Sequence, residues 1–211
     1  MAVIPQRTIS QFKAKLIVGA ARPNLFEVSI PTFPSSVQGD WGPGDDSENG
    51  IFKFLCKAAT MPASNVATVD IPFRGRSLKV AGDRTFDDWS ITVINDEDFR
   101  LRTAFEKWAN AMSKLDDATG VTNPSSYMTD AYVQQLGRSS GVGAATNDGG
   151  ESTVLRTYKF YDIWPTTIDE IALSYDTGDA IEEFGVTFKV QYFTIGNSTQ
   201  SSGSGGEVLI S

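Results

Sequence analysis

The chain has no histidine among its 211 residues and a single cysteine, Cys56. The first absence removes histidine general acid–base catalysis, Ser-His-Asp and Cys-His arrangements, and histidine-bearing zinc sites. The second rules out an internal disulfide and leaves the redox compartment open. No apolar run approaches the roughly 20 residues that span a bilayer. The first ten residues lack a basic patch followed by an apolar core, so no secretory signal is expected, and a soluble chain made in the cytoplasm is the default. No repeat occurs at solenoid spacing. Basic side chains are also in deficit, with 18 Lys and Arg against 26 Asp and Glu and a net charge of −8. Proteins that grip nucleic acid usually carry a basic surplus, so DNA binding is disfavoured, whereas lying near DNA without adhering to it is not.

What is present reads as globular, with 40% hydrophobic and 21% charged residues, enough for one domain with a sizeable core or two small ones. Around Leu78–Met112 the pattern is clearest. Trp89, Ile91 and Val93 alternate with Ser90 and Thr92, as in a strand with one buried face. Asn95-Asp96-Glu97-Asp98 supplies a cap and acidic first-turn residues. Leu101, Ala104, Phe105, Trp108, Ala109, Met112 and Leu115 then recur at helical spacing, predicting a helix over about residues 96–114. It is the only long helical pattern in the chain.

Elsewhere the signals are strand-like. Residues 1–20 read as an N-terminal arm. Phe26, Val28 and Ile30 predict a first strand, and Phe52, Phe54 and Cys56 a second, separated by an exposed loop over 31–50 that contains Trp41. Val69, Ile71 and Phe73 lead to Arg74-Gly75-Arg76, with Leu78 and Val80 beyond, a hairpin in which Pro72 implies an edge or splayed end. Gly82-Asp83-Arg84 reads as a second turn. Met128–Leu136 is a further strand; residues 139–150 form a glycine-rich loop. Tyr158–Trp164 is strand-like and stopped by Pro165. Ile171, Leu173 and Tyr175 alternate up to the turn at Asp176, and one strand is expected from Phe184 to Tyr192. A Gly/Ser-rich tail follows over 196–211. The fold class is therefore mainly β (α+β), a β-sandwich or barrel-like subunit of about eight strands with one flanking α-helix. Trp89, Phe105, Trp108 and Trp164 are its candidate core.

Catalytic candidates are few. Asp176-Thr177-Gly178 resembles the loop presenting the aspartate of aspartic proteases, but those enzymes need two carboxylates sharing a proton, which one copy supplies only in a homodimer. A turn is the simpler reading. Residues 141–146 lack the following helix that a phosphate loop requires. Asp87-Asp88 and Asp96-Glu97-Asp98 have the chemistry of a hard-metal site, yet capping and solvation account for them. Trp89, Phe105 and Trp108 suit core packing better than sugar stacking. No catalytic, metal or cofactor site is assigned. Arg74, Gly75 and Arg76, with Asp83 and Arg84, are instead candidate subunit and ring contacts, since two arginines on a hairpin of an acidic chain favour protein over phosphate.

Several blocks carry a resemblance. Ala21-Arg22-Pro23-Asn24-Leu25-Phe26, Phe54–Ala58 followed by Met61-Pro62, Val80–Trp89 continued by Val93–Glu97, and Ile163-Trp164-Pro165-Thr166 occur in the order seen in the tail tube proteins of T-even-type contractile phages. The resemblance spans about residues 20–195, which makes 21–195 the tail-tube domain. It implies a virion structural protein, assembled in the bacterial host cytoplasm into hexameric rings with a 24-stranded lumen wall. The implied partners are other copies of the chain, a tail sheath protein, baseplate and terminator proteins, and genomic DNA passing without tight binding. It also implies kinship in fold with the haemolysin-coregulated protein of type VI secretion. A tube protein of a phage-derived contractile injection system is the alternative, and the Asp176 protease a remote one.

Geometry accommodates the role. Twenty-four strands about 4.8 Å apart and tilted about 40° close at a diameter of roughly 48 Å. Side chains of about 5 Å leave roughly 38 Å, enough for a duplex on the order of 20 Å wide. On such a wall, lysines such as Lys53, Lys57, Lys79 and Lys189 require neighbouring carboxylates if DNA is to slide.

Overall fold

In the computed structural model the described residues are 8–16, 20–31, 33–34, 51–137, 154–176 and 178–196. Most of the 31–50 loop with Trp41, the 139–150 loop and the tail beyond Gly196 fall outside them. Nine strands and three helices follow one another as α1 (Ile9–Lys15), β1 (Phe26–Ser29), α2 (Ile51–Leu55), β2 (Cys56–Ala59), β3 (Asn65–Phe73), β4 (Arg76–Thr85), β5 (Trp89–Ile94), α3 (Arg100–Met112), β6 (Thr129–Leu136), β7 (Val154–Ile168), β8 (Glu183–Lys189) and β9 (Tyr192–Gly196).

All strand pairs are antiparallel, and β7 joins two layers. Its first part pairs with β6 and β9, and β6 pairs with β1, giving a first sheet. Its last residues pair with β8, which continues through β5 to β2 and gives a second sheet of four strands. The bend lies at Asp162, in the left-handed region with φ 52°, where the β6–β7 register shifts. A bulge that turns a strand from one sheet into another is how antiparallel layers make a corner.

The core lies between the layers and is largely aromatic. Trp89 stacks on Phe160 with centroids 4.6 Å apart and lies 5.3 Å from Phe188. Leu101, Ala104, Phe105 and Trp108, at i, i+3, i+4 and i+7 of α3, are all buried. Phe105 meets Phe52, Phe184 and Phe188 edge-on, and Trp108 lies 5.9 Å from Phe33. Both buried indoles keep their N–H satisfied, Trp89 donating to the Thr60 carbonyl at 3.0 Å and Trp108 to that of Tyr127 at 2.7 Å.

Several elements differ from the sequence expectation. The helix starts at Arg100, because Phe99 sits in the left-handed region; Asp96 still caps it by accepting the Arg100 N–H at 3.1 Å. It ends at Met112, which leaves Leu115 exposed beyond the stripe. Phe52 and Phe54 belong to a short helix, not a strand. Two residues turn a helix by about 200°, so Phe52 is buried while Phe54 is 72% exposed. Gly82-Asp83-Arg84 is not a turn but continues β4, where Gly82 and Asp83 form a bulge opposite Ala67 of β3. Pro165 does not stop β7: it pairs with Phe188 on one side, and no described strand needs its missing N–H on the other. Residues 171–176 form no strand, since no described strand runs alongside them. The expected 184–192 strand breaks at Val190-Gln191, where the chain crosses to the first sheet as β9. Trp164 is not core: it is half-buried on the outer face, opposite Lys189 and edge-on to Tyr127. Within the 1–20 arm, α1 has a Thr8–Gln11 capping box and buries no residue.

Candidate assembly surfaces

The β3–β4 hairpin stands apart from both sheets and pairs with no other described strand. Its connection has two central residues with positive φ, Arg74 at 45° and Gly75 at 82°, the combination a two-residue turn needs to match strand twist. The register sets Val69 against Val80, Ile71 against Leu78 and Phe73 against Arg76 on one face. Asp70 faces Lys79 and Pro72 faces Ser77 on the other, with Lys79 Nζ 3.4 Å from Asp70. The apolar face is open to solvent, with Phe73 at 67% and Leu78 at 61% exposure. A lone two-stranded ribbon is at best marginally stable in water, so this face calls for a partner. Arg74, Gly75 and Arg76 lie together at the tip, and Asp83 and Arg84 lie at the far end of β4.

The outer face of the four-stranded sheet has small polar character. Ser90 opposes Thr187 with hydroxyls 3.3 Å apart, Thr92 opposes Gly185, and the Thr166 hydroxyl donates to the Thr187 carbonyl at 3.0 Å. Its lysines are paired: Lys189 lies 2.6 Å from Asp88, and Lys57 bonds Glu183. Away from this face, Lys53 pairs with Glu27 at 2.9 Å.

The outer face of the other sheet is aromatic. Tyr161 stacks on Tyr192 at 4.4 Å, and Lys159 Nζ sits 4.2 Å from the Tyr161 ring and 3.3 Å from Asp130. Desolvation pulls the Lys159 ammonium down, but hydrogen bonds to Asp130 and Tyr161 and nearby charge outweigh it, so its pKa lies well above the ordinary lysine value. The two outer faces are therefore chemically distinct.

The acidic residues take structural roles. Asp87 accepts from Asn65 at 2.6 Å, Asp88 holds Lys189, and Asp96 caps α3. Asp176 sits in an exposed turn, its N–H bonded to Ser174 Oγ at 3.2 Å. Among the described residues no cluster of three His, Cys, Asp or Glu side chains is placed to hold a metal, and no helix is long and apolar enough to cross a membrane. The lysines and the hairpin stand out in the sequence, but the carboxylates that pair with Lys57 and Lys189 do not, because they lie 126 and 101 positions away along the chain.

The fold is shared with chains from structures of contractile systems. A chain of the sheath–tube complex of the PVC extracellular contractile injection system covers 91% of this chain and 99% of its own length, with 13% identity and a TM-score of 0.54. A chain of the anti-feeding prophage baseplate covers 86% and 98%, with 10% identity and a TM-score of 0.57. These similarities establish the fold. The phage tail tube protein family matches residues 21–196, and the chain belongs to it. The tail tube protein gp19 of Enterobacteria phage T4 is 33% identical over 174 residues, which cover 82% of this chain and 90% of that protein. The function is thereby a structural one in the tail tube of a contractile phage virion, and the protease reading of Asp176 has no support.

Proposed function

We propose that the chain closes into six-membered rings that stack into the channel of the tail, with the β7–β8–β5–β2 sheet lining the lumen. Six copies of this four-stranded sheet give the 24 strands of the expected wall. The observation that carries the assignment is its outer face, where Ser90, Thr92, Thr166, Thr187 and Gly185 lie beside Trp164 and Ile94 and where Lys57 and Lys189 are each neutralised by a carboxylate. A duplex held by unpaired cations would release its counterions and stick; a wall of hydroxyls and closed ion pairs offers little to gain from contact. The genome passes through such a lumen without tight binding. The role is architectural, with no catalytic step.

The aromatic face carrying Tyr132, Lys159, Tyr161 and Tyr192 then points outward. Tyrosine-rich surfaces suit protein partners, so this side meets the sheath, and the ends of the stacked tube meet baseplate and terminator proteins. Sedimentation with negative-stain imaging of the purified chain tests the assembly. Rings or hollow tubes are expected; a folded monomer at every concentration refutes it.

A further inference from the structure

We propose that the tip of the β3–β4 hairpin docks into the cleft formed by the 171–183 loop of a second copy of the chain. Each of the two surfaces is left incomplete in the single subunit. The hairpin presents an apolar stripe ending in Phe73 and Leu78 with Arg74 and Arg76 around it. The loop encloses a cleft of about 700 Å³ lined by Ile171, Leu173, Tyr175 and Ile181. Leu173 is 79% exposed and Tyr175 fully so, an apolar concavity with no covering element among the described residues.

Charge selects the pairing. Residues 169–183 contain six carboxylates and no lysine or arginine, whereas residues 65–85 contain four basic and two acidic side chains. An aromatic and aliphatic tip flanked by guanidinium groups would bury its apolar atoms in the cleft while Arg74 and Arg76 reach the acidic rim at Asp176 and Asp179. Arginine–carboxylate pairs at the rim of an apolar contact supply orientation more than affinity. A hairpin with strands of nine and ten residues is about 30 Å long, enough to reach beyond its own subunit. The tip is also sterically open, since a Cβ built on Gly75 meets nothing within 4 Å. A second copy is the occupant because the tube supplies one beside every subunit, so the inference rests on the tube reading given above.

Two variants test it in the full chain. The pair Phe73→Cys and Ala180→Cys, oxidised after assembly, is expected to give a ladder of disulfide-linked chains on non-reducing gels. Cys56 adds no background because it is buried. Arg74→Glu with Arg76→Glu is expected to cut tube yield at least tenfold, and adding Asp176→Arg with Asp179→Arg to restore it. Tubes that form without cross-links, or a charge exchange that fails to restore assembly, overturn the docking while leaving the tube intact. If the cysteine variant does not assemble, the charge exchange decides alone. An unaltered chain that never forms rings overturns the tube reading instead.

Discussion

Lys189 Nζ lies 2.6 Å from the Asp88 carboxylate, joining the end of β8 to the start of β5 across the outer face of the four-stranded sheet. Both side chains are about half exposed, so this pair adds little to stability, ~0–1 kcal/mol. Its consequence is electrostatic: an exposed ammonium is closed to phosphate. Asp88→Asn combined with Glu183→Gln leaves Lys189 and Lys57 without carboxylate partners. Tubes of this variant should retain duplex DNA at low salt, with retention falling steeply as salt rises, and unaltered tubes should not. A filter-binding salt titration checks it, and equal retention by both removes the ion pairs from the account.

Trp108→Ala should destabilise the subunit by about 3–5 kcal/mol, the range for large aromatic core truncations. The side chain is fully buried, and its loss also strips the Tyr127 carbonyl of a donor. Trp108→Phe keeps much of the packing and loses the hydrogen bond, so about 1–3 kcal/mol is expected. Urea unfolding of an unassembled form measures both.

How much of this was legible beforehand depends on whether a feature is local. The alternation of Trp89, Ile91 and Val93 and of Phe184, Val186 and Phe188 fixes strands, because a half-buried sheet imposes period two. The α3 stripe and the Arg74-Gly75 turn were legible for the same reason. Phe52 and Phe54 misled because spacing by two over so few residues suits either periodicity, and only the burial of one of them decides it. Pro165 misled because its tolerance depends on which side of β7 lacks a neighbour. Which face would hold the ion pairs was invisible, since Lys57 and Glu183 are 126 positions apart and Lys189 and Asp88 are 101.

Burial pushes the Cys56 thiol from its ordinary 9.0 up to about 12. The folded chain then holds a proton that the unfolded chain releases between those values, so stability present below pH 9 is lost as pH rises toward 12. The slope approaches about 1.4 kcal/mol per pH unit. Lysines and tyrosines titrate in the same range, so the measurement is the difference between the unaltered chain and Cys56→Ala. A gap that narrows with rising pH is expected. Curves that stay parallel contradict the raised thiol.

The central claim is the orientation of the subunit in the tube. A cryo-electron microscopy reconstruction of tubes assembled from the unaltered chain, at a resolution that separates strands, tests it most directly. The account predicts six subunits per ring with Ser90, Thr92, Thr187 and the Lys57–Glu183 and Lys189–Asp88 pairs facing the lumen. A lumen lined instead by Tyr132, Lys159 and Tyr192, or a continuous band of unpaired lysines on the inner wall, would contradict it.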